Sequence, residues 1–132
     1  MEKSIKIASK IDNINKIEKF IDDFSDKNEI NSEIYGKILI ATVEAVNNSI
    51  VHGNKEDVNK MVYVNLRIDN EKIYITVEDE GPGFDSSKVP DPTKPENVEN
   101  IHGRGIYLMK HLADEVSFND DGSAVTMEFN KE

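Results

Sequence analysis

Apolar residues along this chain switch between two spacings, and each switch marks a new element. In residues 3 to 8, Ile5 and Ile7 alternate with Ser4 and Lys6, the period of two expected of a strand with one buried face. Asp12 is suited to cap a helix, and beyond it Ile14, Ile17, Ile21 and Phe24 recur three and four residues apart, which predicts a helix packed on one side. A second helix is expected from near Ser32 to His52, with Ile34, Ile38, Ala41 and Ala45 apolar and Gly53 as a left-handed C-terminal stop. Alternation returns at 61 to 69 (Val62, Val64, Leu66, Ile68) and at 72 to 79 (Ile73, Ile75, Val77). The short link Asp69-Asn70-Glu71 predicts that these two strands form an antiparallel hairpin.

Asp79 continues the series Ile73, Ile75, Val77, so its carboxylate is expected on the core-facing side of the strand. Such burial is costly unless the acid is paired or hydrogen-bonded. Residues 84 to 102 have no regular period, and all four prolines of the chain cluster from Pro82 to Pro95, which predicts a long, lid-like loop. Gly103 to Ala113 reads as a third helix. Val116 and Phe118 mark a strand, Asp121-Gly122 a turn, and Val125, Met127 and Phe129 a last strand. The order strand, helix, helix, two strands, loop, helix, two strands predicts an α/β (α+β) two-layer sandwich. Its sheet would be mainly antiparallel, with three helices on one face and the other face partly solvated or used by a partner.

Composition narrows the classes. The chain of 132 residues has no repeats or linkers and is expected to be one domain, 1–132, able to bury roughly two thirds of its unfolded surface. It has no cysteine, which excludes disulfides, thiolate metal sites and cysteine nucleophiles. The net charge of −10 disfavours direct binding to nucleic acid or to an anionic membrane, and points instead to a basic protein partner. No apolar run has the length of a membrane span, and the opening MEKSIKIASK lacks the apolar core of a signal peptide, so a cytoplasmic protein is expected.

Three local features carry candidate chemistry. In EAVNN, Glu44 and Asn48 are four apart and share a helical face, with His52 one turn further; by itself this could be a solvated polar stripe. In DEGPGFD, residues 79 to 85, the acids Asp79, Glu80 and Asp85 argue against a phosphate-cradling loop. An ionised Asp79 accepts hydrogen bonds only, so it suits the exocyclic amine of adenine and rejects the carbonyl of guanine. Gly81 and Gly83 would let the backbone pass close to a ring, although a strand-ending turn also uses glycine. In GRGIYLM, Gly103 and Gly105 flank Arg104 at a helix start, where free N–H groups and positive charge suit phosphates. A glycine pair there is also an ordinary loop end.

In this order the three resemble the GHKL, or histidine-kinase-like, ATPase superfamily. EAVNNSIVHG resembles its N box, DEGPGFD its first glycine box and HGRGIYLM its second, and the similarity covers residues 33 to 130. The resemblance implies the Bergerat-type ATP-binding fold, a two-layer sandwich with a mixed, mainly antiparallel sheet. EAVNNSIVHGN and PENVENIHGRGIYLMKHLADEV are most similar to the anti-sigma-factor serine/threonine kinase branch. Histidine kinases and gyrase-type proteins would need further domains.

The resemblance implies ATP and Mg²⁺ as cofactors. Asn48 would hold Mg²⁺ through its amide oxygen, Asp79 would bind the adenine amine, and Gly81 and Gly83 would shape that pocket. Gly103, Arg104 and Gly105 would line the phosphates, under an ATP lid at about 84–103. Glu44 would orient or deprotonate the attacking hydroxyl. Ser123 stands where the family usually has Thr near adenine and keeps the hydroxyl. Ser49 replaces a usual Ala, and His102 a small residue; neither removes a ligand. Implied partners are a STAS-type anti-anti-sigma factor carrying the acceptor Ser or Thr, and a competing sigma factor. A homodimer, common in the family, stays open, as do a nonenzymatic ATP-binding switch and an α/β domain without nucleotide.

Overall fold

A computed structural model gives the fold; it describes residues 1–81, 101–119 and 122–131, without the side chains of 101–104. The strands are β1 (Glu2–Ala8), β2 (Met61–Ile68), β3 (Lys72–Glu78), β4 (Glu115–Phe118) and β5 (Ala124–Asn130). The helices are α1 (Ile14–Lys27), α2 (Ser32–Asn48) and α3 (Ile101–Leu112). The expected loop at 84–102 falls almost wholly outside the described residues, and so do Gly83 and Asp121.

The sheet order is β1-β2-β3-β5-β4, and all four pairings are antiparallel. A mixed sheet therefore gives way to an antiparallel one among the described strands. β3 and β4 run the same way, but β5 folds back from β4 and inserts between them, so the parallel strands never touch. Register aligns Ile5, Val64, Val77, Val125 and Phe118 in one row across all five strands. Leu66, Ile75, Met127 and Val116 form the next. This face packs on Ile17, Ile21 and Phe24 of α1, Ile38, Ala41 and Ala45 of α2, and Ile106 and Met109 of α3 in a single core. The apolar stripes thus close one layer of helices over one side of the sheet.

The opposite face is polar. Ser4, Asn65, Thr76, Thr126 and Ser117 form a row in which the Asn65 amide donates to Ser4 Oγ (2.7 Å) and the two threonine hydroxyls lie 3.0 Å apart. Arg67 stacks over Tyr74 at 3.9 Å, a cation–π contact. Among the described residues no helix is long and apolar enough to cross a membrane.

Helix starts differ from expectation in α1 and α3, which begins at Ile101 and not at Gly103. Asp12 does not cap α1; it sits in a 3₁₀ turn, Ile11–Asn13, and α1 begins at Ile14. Asn13 occupies the cap position, but its amide turns back to donate to Ala8 O (3.0 Å), tying the helix entry to the end of β1. α2 starts as expected, with Asn31 Oδ1 accepting from Ile34 N–H at 2.9 Å. In the β2–β3 link, Asp69 Oδ1 accepts from the N–H groups of Glu71 (2.9 Å) and Lys72 (2.8 Å), and these bonds hold its carboxyl below the usual range.

Candidate functional site

The site is built where α2 ends. Beyond Asn48 the helix widens into a π turn, Ser49–Gly53, closed by the Asn54 N–H on Ser49 O at 2.8 Å. Such widenings recur at functional sites. Gly53 is not left-handed; among the described glycines only Gly122 has a positive φ, 77°. The expected stop is therefore corrected, and close approach takes its place. A Cβ on Gly53 would lie 2.3 Å from Asp79 Oδ2 and 2.5 Å from Asp79 Cγ. A Cβ on Gly81 would lie 2.0 Å from Gly53 O. Gly81 thus packs directly on the Gly53 backbone, leaving no room for a side chain, while the Asp79 carboxylate occupies the place a Gly53 side chain would take.

Asp79 extends the β3–β5 ladder by one residue, its N–H donating to Ser123 O at 2.9 Å. It is half-buried on the face of Val77, and its Oδ1 accepts from Gly81 N–H at 2.8 Å. Ser123 Oγ accepts from the Asn119 amide at 3.1 Å. Asp79 and Ser123 border a cleft with about 470 Å³ of free space, its mouth included. Ala45, Val77, Ile106 and Met109 supply apolar walls, and Asn48 and His52 reach it from the helix end. An acceptor at one end of an apolar slot fits a flat ring carrying an amine. Burial, with the positive charge of Lys55 adding, lowers the His52 imidazole pKa.

Asn48 is 8% exposed, and among the described residues neither atom of its amide has a hydrogen-bond partner. Orphaned buried amides are uncommon and costly, on the order of 1–3 kcal/mol. Across from it stands Gly105 of α3, where a Cβ would fall 2.9 Å from Asn48 Nδ2 and 3.2 Å from both Asn48 Oδ1 and Glu44 Oε2. Glu44 and Asn48 therefore face α3 together. No group of three His, Asp or Glu side chains able to hold a metal occurs among the described residues. One neutral amide oxygen suits a cation held mainly by ligand oxygens and water, as Mg²⁺ is in nucleotide sites.

α3 begins at Ile101, so Gly103, Arg104 and Gly105 lie inside its first turn and a half instead of opening it. The N–H of Gly103 remains among the four that a helix start leaves without intrahelical acceptors. Asn48, Asp79 and Ser123 thus line one cleft, Glu44 and Gly105 adjoin it beside Asn48, and Gly81 adjoins it against Gly53. Gly83 and residues 84–100 of the expected lid lie outside the described residues. The close approach at Gly53, the slot residues Ile106 and Met109, and buried Asn54 have no motif that marks them as site components in the sequence. Only the glycine of HGN offered a local signal, and it admits a simpler reading.

The fold and this cleft define a class. Residues 7–129 match the histidine kinase-like ATPase domain family, and the chain belongs to it. Among individual proteins, it is 35% identical to the anti-sigma F factor of Bacillus subtilis (strain 168) over 87 residues, 63% of this chain and 58% of that protein. It is 36% identical to the anti-sigma F factor of Geobacillus thermodenitrificans (strain NG80-2) over 84 residues, 61% of this chain and 56% of that one. The chain thus spans less than two thirds of the curated relatives it matches. A crystal structure of RsbU and RsbW domains from Mycobacterium tuberculosis superposes on 98% of this chain and 32% of that one, with a TM-score of 0.69 at 14% identity, a likeness of fold.

Proposed function

We propose that the chain is an ATP-dependent anti-sigma factor that phosphorylates a serine or threonine of a STAS-type anti-anti-sigma partner and sequesters a sigma factor. The observation that carries this reading is the orphaned Asn48 amide beside Glu44, on the same cleft as the inward Asp79. Those positions match the metal, base and adenine residues of the family motifs. The anti-sigma relatives support the partner assignment.

In this reading Asp79 accepts from the adenine amine, while Gly81, Gly83 and Ser123 shape the pocket around the ring. Asn48 would hold Mg²⁺ through its amide oxygen, and the ion would supply charge neutralisation at the phosphates. Gly103, Arg104 and Gly105 line the phosphate chain, Gly103 through its N–H, Arg104 through its positive charge and Gly105 by leaving room beside Asn48. Glu44, one turn before Asn48, takes the proton of the partner's hydroxyl. That oxygen bonds to the γ-phosphorus as the bond to the bridging oxygen breaks and ADP leaves.

Incubation with γ-labelled ATP and a STAS partner tests the proposal. Label should move to the partner, Glu44→Gln should bind ATP yet transfer about 10²-fold less or slower, and Asp79→Ala should lose ATP binding. Partner binding without transfer by the unaltered protein would replace the kinase with a nonenzymatic switch. Normal ATP binding by Asp79→Ala would overturn the adenine assignment.

A further inference from the structure

Directly after the π turn, Asn54 is 1% exposed, and its side chain spans three other segments. Its amide nitrogen donates to Ser9 Oγ (2.8 Å) just past β1 and to Met61 O (3.0 Å) at the start of β2. Its Oδ1 accepts from the N–H of Glu80 at 2.8 Å, one residue beyond Asp79. The Ser9 hydroxyl, itself fully buried, donates to Lys60 O at 2.6 Å. Glu80 is held a second time, its Oε2 accepting from Met61 N–H at 2.5 Å. The neighbours of Glu80 are seated by other means: Asp79 N–H on Ser123 O, and Gly81 against Gly53 O.

This arrangement fixes the chain leaving β3 at successive residues, and Asn54 is the tie from the helix end. A carboxylate selects an amine only while its oxygens point along one direction, and the Asp79 side chain is anchored to Gly81 N–H, one residue past the Asn54 contact. We propose that Asn54 is a positioning residue for base recognition. Through the Glu80 N–H it holds the Asp79 carboxylate in the orientation that accepts from adenine, without touching the nucleotide. The inference rests on the ATP-binding reading of the same cleft. A residue that merely stabilised the fold would weaken all nucleotides alike.

The test compares ATP with ITP, which carries a carbonyl where ATP carries the amine. Affinities are measured by titration calorimetry on the full chain, with folding checked by circular dichroism. Asn54→Ala should weaken ATP by about 10-fold while leaving ITP within about twofold, so the preference for ATP collapses. Asn54→Asp keeps the acceptor for Glu80 N–H and should retain the preference despite lower thermal stability. Glu80→Ala alters an exposed side chain and removes the second hold on the same residue, its bond to Met61 N–H, and should shift the preference in the same direction as Asn54→Ala. It decides the matter if Asn54→Ala does not fold. Equal loss for ATP and ITP, or an unchanged preference in both variants, would overturn the inference. An unaltered protein that binds neither nucleotide would overturn the ATP-binding reading and this inference with it, whereas ATP binding with an unmoved ratio overturns this inference alone.

Discussion

Gly53→Ala separates close approach from backbone conformation as the reason for glycine at the end of α2. The backbone there is not left-handed, so alanine would ordinarily stabilise it by about 0.5–1 kcal/mol, by restricting the unfolded chain. The added methyl would lie 2.3 Å from Asp79 Oδ2, about 1 Å inside ordinary contact, and its three nearest atoms all belong to the Asp79 carboxylate. Displacing a packed group on that scale costs about 1–3 kcal/mol. Gly53→Ala alone should therefore lower stability by up to about 2.5 kcal/mol, the cost less the backbone gain. In an Asp79→Ala background those atoms are gone, and the same substitution should stabilise by about 0.5–1 kcal/mol. Urea unfolding of the four proteins in a double-mutant cycle measures the difference, an expected coupling of about 1–3 kcal/mol. Equal destabilisation in both backgrounds would refute the close-approach account.

Three further outcomes follow from the packing and the charges. Ile75, fully buried in the central strand β3, should cost about 2–5 kcal/mol as Ile75→Ala, read as a lower urea midpoint; a loss below about 1 kcal/mol would contradict the core assignment. The pKa of His52 is lower folded than unfolded, so the unfolded chain holds the proton more tightly and stability should fall as pH drops through the ordinary value of 6.5. The loss levels off below the lowered folded value, and His52→Gln should show a smaller decline over that range in urea unfolding; an identical pH profile would refute it. Glu115 and Glu128 face each other across β4 and β5, and the Glu115 side chain raises the Glu128 pKa. Glu115→Gln should gain a few tenths of a kcal/mol at neutral pH, discounted for exposure, and the gain should shrink as acid protonates Glu128. A gain that grows in acid would show the sign to be wrong.

Much of this molecule is written in local periods. Alternation in 61–69 and 72–79 predicts both strands, observed at 61–68 and 72–78, and their facing, and it points Asp79 inward. The three- and four-residue spacing of Ile17, Ile21 and Phe24 named the buried face of α1. The N box spacing put Glu44 and Asn48 on one helical side because residues four apart always share one.

What tertiary structure decided involves segments that share space without sharing sequence. Period two cannot say which strand will be a neighbour, so the insertion of β5 between β3 and β4, and with it a wholly antiparallel sheet, emerged only from packing. Asp12 had the composition of a cap, yet Asn13 took the position because its amide reaches Ala8 O. Gly53 looked like a helix stop because glycine favours left-handed backbone locally, whereas here it is glycine because the Asp79 carboxylate, 26 positions later in the chain, occupies the place of its side chain. Asn54 carries no periodic signal at all, and its burial follows from three chain segments converging on one amide. Sequence period reports which way a side chain points; what it meets there depends on chain folding over distances that period does not encode.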